Sequence, residues 1–326
     1  MKSLILWCER WTGIFYNDVE NVLKNGNAIN VISRFKKCLE KIKPASNVLI
    51  VGSGGSYVAG LYAKYIIEKN KTNLCEVLKP MEVSQTNMQL YSYAIIYSYK
   101  MNNYDIKMAI KCILEASNIK KVFIVTARKI NKVYDDRVEY IYYDEDSEYE
   151  TKYVSYKGIY IPTYMLGSCF ENIKIDIEKL KCAKLEVNKD CIIDIFYDKE
   201  NNCLAQLVER HFCELGISTI RMHEKKDFSH GRMNILEKRG EVIFLSSCNY
   251  DEKYDSILLK YLENVYNCKI LNKNELDLDV KLDYFEKMLL VLFWIEECSM
   301  SSGISMENKK DTKEDEKLFK YGKEEL

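Results

Sequence analysis

The chain has 326 residues, of which 47% are hydrophobic and 30% are charged, so it is long enough for one large or two medium domains. Its 13 glycines and 3 prolines exclude a collagen-like chain and argue against a disordered one. The 48 basic and 49 acidic side chains leave a net charge of −1, without the basic excess typical of nucleic-acid-binding proteins. We therefore expect no nucleic-acid partner.

The longest strongly apolar run covers residues 288–295. It is much shorter than the about 20 residues that a membrane-spanning helix needs, and the apolar run at the N-terminus is too short for a signal peptide. The 12 cysteines are scattered and form no CxxC pair, which argues against a zinc site built from paired thiolates. We expect a cytoplasmic protein with reduced thiols and no membrane association.

Short apolar runs alternate with longer segments of helical period along the chain. After a helical stretch at about 18–43, strands are predicted at 47–51, 74–78, 93–97, 121–126 and 138–143, with helices at 56–70 and 104–117. A second series of strands is predicted at 191–197, 218–222, 241–246 and 269–271, with helices at 204–216, 254–267 and 282–299. Strands that alternate with helices of this length indicate βαβ units and parallel sheets.

This order predicts an α/β protein with two subdomains, each a parallel sheet between two layers of helices. The first subdomain is predicted at 46–175 and the second at 185–305, joined through the charged stretch 171–190. A helical segment, 1–45, precedes them. A tail of mostly charged residues, 306–326, follows them.

The loop after the first predicted strand, residues 52–56, reads Gly-Ser-Gly-Gly-Ser and leads directly into a helix. Glycines allow a sharp turn and a close approach to a ligand, and the helix N-terminus directs free N–H groups at an anion. The hydroxyls of Ser53 and Ser56 add two donors. Tyr57 stands where a dinucleotide fingerprint has its third glycine, and no P-loop lysine follows. The alternative is an ordinary strand-to-helix turn.

The three histidines, His211, His223 and His230, all lie within twenty residues. His211 and Glu214 are spaced i,i+3 on a predicted helix and share one face. A carboxylate and an imidazole in one pocket are suited to proton transfer, whereas these spacings match no common metal-ligand pattern. The alternative is that each imidazole is an ordinary core or surface residue.

These features resemble the sugar isomerase (SIS) domain superfamily, with two such domains in tandem. The 52–56 loop resembles its first sugar-phosphate loop. Residues 205–232 resemble the isomerase part of glucosamine-6-phosphate synthase and the fructosamine-6-phosphate deglycases, in which a His-Gly pair follows a catalytic Glu by sixteen residues. Glu214, His230 and Gly231 have this spacing here.

This chain matches the family's second phosphate loop at fewer residues than the first. Ser98 and Asp105 match it, but the second Ser, the Gly and the Thr are missing, and Lys100 would supply a point charge in their place. The two synthase lysines correspond to His211 and Ser302 here. Their loss argues against synthase-type isomerisation and favours a deglycase.

The resemblance thus implies an enzyme that cleaves a ketosamine 6-phosphate, a sugar–amine conjugate, into an aldose 6-phosphate and a free amine. The implied catalytic residues are Glu214, His230 and His211. The implied substrate- and phosphate-binding residues are Gly52, Ser53, Gly54, Ser56, Ser98, Lys100 and Asn103. No metal and no organic cofactor is implied. The alternatives are an aldose–ketose phosphosugar isomerase and a non-catalytic regulator that binds a sugar phosphate.

The resemblance also implies a homodimer with shared active sites, in which the neighbouring chain supplies the histidine. The apolar run 288–295 offers surface for a two-fold contact, and burial in the core is the alternative explanation of this run.

Overall fold

The computed structural model describes residues 27–127, 129–130, 134–143, 154–170, 187–188, 191–236, 239–245, 252–271 and 283–304. These residues form two compact units, a first unit within Asn17–Lys174 and a second unit within Ile175–Asn308. The first 26 residues, the charged tail 306–326 and most of the predicted joint 171–190 lie outside the described residues.

The first unit contains a parallel sheet of five strands in the order β2-β1-β3-β4-β5. The strands are β1 Asn47–Val51, β2 Leu74–Leu78, β3 Tyr93–Tyr97, β4 Lys121–Thr126 and β5 Val138–Tyr142. The helices are α1 Asn27–Glu40, α2 Gly55–Asn70, α3 Tyr104–Glu115 and α4 Val154–Phe170. All residues of β3 are buried, as expected for a strand inside a sheet covered on both faces.

The second unit contains a parallel sheet of four strands in the order β7-β6-β8-β9. The strands are β6 Ile192–Tyr197, β7 Thr219–Glu224, β8 Glu241–Phe244 and β9 Lys269–Ile270. The helices are α5 Asn202–Leu215, the single turn α6 Lys225–Phe228, α7 Glu252–Asn264 and α8 Tyr284–Ser301. The predicted α/β class, with two parallel sheets flanked by helices, is confirmed.

Helix α4 has no counterpart in the sequence prediction. It contains Pro162 and the sequence YKGIYIPTYML, whose aromatic and β-branched residues favour strands over helices. Helix α4 packs against α1 and α2, and this packing overrides the local preference. The hydroxyl of Thr163 donates to the carbonyl of Ile159, 2.7 Å away, inside the helix.

The apolar run 288–295 lies in α8, where every one of its residues is buried. Helix α8 packs against α5, and the indole of Trp294 lies 5.2 Å from the ring of Phe212, measured between centroids. The run is therefore part of the core of the second unit and does not provide the surface for a two-fold contact.

Candidate functional site

The Gly-Ser loop, residues 52–56, connects β1 to α2 in the first unit. A Cβ added to Gly52 would lie 2.4 Å from the carbonyl oxygen of Ser56, so only glycine fits there. Gly54 has φ 54° and precedes the first turn of α2, which no side chain caps. The N–H of Ser56 donates to the carbonyl of Ser53 at 3.0 Å, which folds the loop over the start of the helix.

The loop between β3 and α3 holds a second serine in a fixed turn. The backbone N–H of Ser98 donates to the carbonyl of Val125 at 3.0 Å, and its hydroxyl oxygen accepts from the N–H of Met101 at 3.2 Å. Met101 has φ 54° and a buried side chain, so it takes the left-handed position of this turn at some conformational cost. Lys100 is exposed, and the side chain of Asn103 does not cap α3.

The two loops leave the same edge of the first sheet from neighbouring strands, since Val51 of β1 pairs with Ile96 of β3. The strand order reverses between β1 and β3, and open α/β sheets bind ligands at this point of the carboxyl edge. The N-termini of α2 and α3 both follow these strands and give the edge a positive potential. The predicted binding residues thus come from two adjacent loops of one sheet edge.

Lys79 is a cation at this edge that the sequence prediction missed. It follows β2, whose Leu78 carbonyl accepts from the N–H of Gly52 at 3.2 Å. The ammonium of Lys79 is exposed and lies 5.9 Å from the centroid of the Tyr57 ring, in the first turn of α2. A lysine directly after a predicted strand was the signal that could have identified it.

Glu214 and His211 both lie near the C-terminal end of α5 in the second unit. His211 is 1% exposed, and its Nδ1 donates to the carbonyl of Leu207 at 2.8 Å. Burial lowers the pKa of His211, while the Leu207 carbonyl and the negative charge of Glu214 oppose this shift. Burial therefore favours the neutral form of the His211 imidazole, whereas Glu214 is only half-buried.

His230 has the opposite environment, on an exposed turn after the short helix α6. The backbone N–H of His230 donates to the carbonyl of Asp227 at 3.0 Å, and Gly231 continues the turn with φ 116°. This φ favours glycine, which explains the His-Gly pair in the sequence. The imidazole of His230 is thus presented to solvent on a defined turn.

A polar cluster of Asp194, Arg221 and His223 lies on the second sheet, and the sequence prediction assigned no role to any of the three. The carboxylate of Asp194 accepts from Nε and Nη2 of Arg221, both at 2.8 Å, and from Nε2 of His223 at 2.6 Å. Asp194 and His223 are no more than 1% exposed. The one signal in the sequence is that Arg221 and His223 are two residues apart on a strand, which places both side chains on the same face of the sheet.

A second buried cluster occupies the carboxyl edge of the second sheet. Asp198 follows β6, and its Oδ1 accepts from the N–H of Asn201 at 3.0 Å, just before α5. The ammonium of Lys225, which is fully buried, lies 2.8 Å from Oδ2 of Asp255 and 3.7 Å from Oδ2 of Asp198. It also lies 4.4 Å from the ring centroid of Phe244, at the end of β8. At this edge, charged side chains of the protein thus pair with one another.

Among the described residues, no three His, Cys, Asp or Glu side chains come close enough together to hold a metal ion. No helix in the described part of the chain is long and apolar enough to cross a membrane.

The sequence matches no protein-family model, and no curated protein is similar to it in sequence. Solved structures of the same fold do match over most of the chain. Glucosamine-6-phosphate deaminase from Thermotoga maritima matches with a TM-score of 0.63 and 16% identity, covering 91% of this chain and 98% of that one. Tagatose-6-phosphate ketose/aldose isomerase from Escherichia coli matches with a TM-score of 0.62 and 10% identity, covering 89% of each chain.

A protein from Clostridium novyi, assigned as a tagatose-6-phosphate ketose/aldose isomerase, matches with a TM-score of 0.65 and 16% identity, covering 92% of this chain and 89% of that one. At these identities the similarity is one of fold. The fold is thus shared with phosphosugar-processing proteins, in agreement with the resemblance to sugar isomerase domains.

Proposed function

We propose that this chain is an enzyme of the sugar isomerase type that acts on a hexose 6-phosphate, and that its specific activity is cleavage of a ketosamine 6-phosphate. The observation that carries the proposal is the carboxyl edge of the first sheet. There a glycine-serine loop, a second serine turn and two helix N-termini follow adjacent strands, in a fold shared with phosphosugar enzymes.

The phosphate group is the part of the substrate that this edge suits. Ser98 uses its hydroxyl oxygen to accept from Met101, so its O–H proton is left to donate to a phosphate oxygen. Ser53, Ser56 and the first N–H groups of α2 add further donors. This chain lacks some of the hydroxyl donors of the family's second phosphate loop. The exposed ammonium groups of Lys79 and Lys100 contact the phosphate in their place, as point charges.

Glu214 and His230 carry the proton transfers in this proposal. His230 assists opening of the sugar ring. The carboxylate of Glu214 removes a proton from C1 of the ketosamine and returns it to C2, through an enaminol intermediate. The product is an imine at C1, and water hydrolyses it to an aldose 6-phosphate and an amine. One carboxylate suffices because the proton leaves and returns on adjacent carbons.

His211 acts on Glu214 in this proposal. It is buried, neutral and one helical turn from Glu214, so it adjusts the environment of the carboxylate without contacting substrate.

Aldose–ketose isomerisation is the second candidate. The Escherichia coli neighbour is named for such a reaction on tagatose 6-phosphate. The same proton transfer between C1 and C2 converts a ketose 6-phosphate to an aldose 6-phosphate, with no C–N bond to break. The two activities therefore differ in the substrate and share Glu214 and His230.

The test is mass spectrometry of a panel of ketosamine 6-phosphates and ketose 6-phosphates, incubated with the protein in D2O. We expect release of amine from a ketosamine 6-phosphate and one deuterium in the aldose product. Glu214→Gln should lower turnover by about 10²-fold or more, because an amide cannot accept the proton. Glu209→Gln, on the same helix and also half-buried, is the matched control and should retain full turnover.

Turnover of the ketoses alone would favour the isomerase. Saturable binding without turnover would leave only a sugar-phosphate regulator, and a fully active Glu214→Gln variant would refute the proton-transfer role.

Mixing Glu214→Gln with His230→Ala under subunit exchange tests the proposed homodimer with shared sites. Activity that neither variant has alone is expected if Glu214 and His230 of one site come from different chains.

A further inference from the structure

The turn that carries His230 is connected to β7 by two arginines that reach in opposite directions. Arg221, on β7, donates from Nη1 to the carbonyl of Ile235, 2.9 Å away, just beyond the turn. Arg232, in the turn, donates from Nη1 to the carbonyl of Met222 on β7 at 3.0 Å. Both bonds hold the segment after His230 against the strand.

The orientation of the Arg221 side chain is fixed by the buried carboxylate of Asp194. The guanidinium uses Nε and Nη2 for the two bonds to Asp194, so only Nη1 is directed at Ile235. A two-bond contact of this kind sets the plane of the guanidinium as well as its position. His223 donates to the same carboxylate, and its ring stacks on Phe196 at 5.1 Å between centroids, which fixes the carboxylate in turn.

Further contacts hold the turn at its other points. The hydroxyl of Tyr266 donates to the carbonyl of Met233 at 2.9 Å, and that of Tyr254 donates to the carbonyl of Lys225 at 2.7 Å. The backbone on both sides of His230 is therefore anchored to β7 and to neighbouring residues, although the imidazole is exposed.

We propose that Arg221, oriented by Asp194 and His223, is a positioning residue that fixes the turn of His230 for catalysis. This inference rests on the proposed function, in which His230 assists opening of the sugar ring. An exposed turn without such bonds samples many positions, and a displacement of about 1 Å in a catalytic group can reduce the rate by about 10². Arg221 touches no substrate and acts only through the position of His230.

The first test is kinetic. Arg221→Lys keeps the charge, but an ammonium cannot make the two-bond contact with Asp194 and also reach Ile235. We expect kcat to fall about 10-fold or more while KM stays within about twofold, because the substrate's phosphate is bound elsewhere. Lys269→Met, which removes an exposed ammonium 3.5 Å from the largely buried carboxylate of Glu241 on the same sheet, is the control and should leave kcat unchanged.

A double-mutant cycle separates positioning from a general structural effect. In a His230→Ala background, Arg221→Lys should lower kcat no further, because the group that it positions is absent. An equal fall of kcat in both backgrounds would overturn the proposal.

Hydrogen–deuterium exchange tests the turn independently of any activity. Arg221→Lys should accelerate amide exchange within residues 228–236 and leave β6 and β8 unchanged. If Arg221→Lys unfolds, Arg221→Gln, whose shorter side chain cannot bridge Asp194 and Ile235, carries the same test. Unchanged exchange at 228–236 in the folded variant would overturn the positioning role, whereas absence of turnover by the wild-type protein would refute the proposed function alone.

Discussion

The carboxyl edges of the two sheets have the same topology and different chemistry. β1 lies between β2 and β3 as β6 lies between β7 and β8, and a helix follows each of these two central strands. After β1 the chain has a glycine-serine loop and no carboxylate. After β6 it has Asp198, which accepts from the backbone before α5 and lies 3.7 Å from the buried Lys225.

This difference shows two ways to satisfy a helix N-terminus. Its free N–H groups favour a negative charge, which can come from a ligand or from the protein. The second unit supplies its own carboxylate and neutralises it with a lysine. In the first unit no side chain caps the helix that follows β1, and the proposed function assigns this place to the phosphate of the substrate. If the proposed function is correct, this comparison predicts one phosphosugar site per chain, at the carboxyl edge of the first sheet.

The largest effect is expected from Lys225→Met in the second unit. The variant removes the ammonium that faces Asp198 and Asp255, and breaking a buried pair in this way costs about 3–5 kcal/mol. Urea unfolding measures the loss. Lys79→Met, at the exposed edge of the first unit, should change the free energy of unfolding by less than about 0.5 kcal/mol. Equal changes in both variants would show that the two edges do not differ as described.

A smaller effect is expected on affinity from Ser53→Ala in the first unit. Losing a hydrogen bond to a charged group costs about 1.5–3 kcal/mol, which weakens binding about 10- to 150-fold. Calorimetry with fructose 6-phosphate measures the affinity and the number of sites, which we expect to be one per chain. Asp198→Asn, at the corresponding edge of the second unit, should leave the affinity within about twofold. Two sites per chain, or equal weakening by both variants, would contradict the comparison.

The smallest effect concerns pH and separates His211 from His230. Burial lowers the pKa of His211 below that of the unfolded chain, about 6.5, so the unfolded state takes up the proton first as pH falls. The free energy of unfolding should therefore fall below pH 6.5 by up to about 1.4 kcal/mol per pH unit. Unfolding at pH 7.5 and 5.5 should show a smaller fall in His211→Gln. His230→Gln, at an exposed imidazole, is the control and should behave as the wild-type protein; a fall in His211→Gln as large as the wild type's would contradict the role of burial.

Part of the candidate site could be predicted because its signals are local. The strand before Gly52 and the helix after Ser56 are consecutive in the chain, so their pattern predicts a strand-loop-helix unit. The spacing of Glu214 and His230 is likewise visible in the sequence. Whether His211 contacts solvent is not local, because it depends on how α5 packs in the second unit, where His211 is buried.

The sequence alone determined the order of strands and helices, since the period of apolar residues and the loop glycines depend on neighbours within a few positions. It did not determine helix α4, which is stabilised by packing against α1 and α2. It also did not determine the charged clusters. Arg221 and Asp194 are 27 residues apart in the chain, and Lys225 and Asp255 are 30 apart. Only the tertiary structure brings such partners together, because pairing at that separation depends on how strands and helices pack and leaves no local pattern.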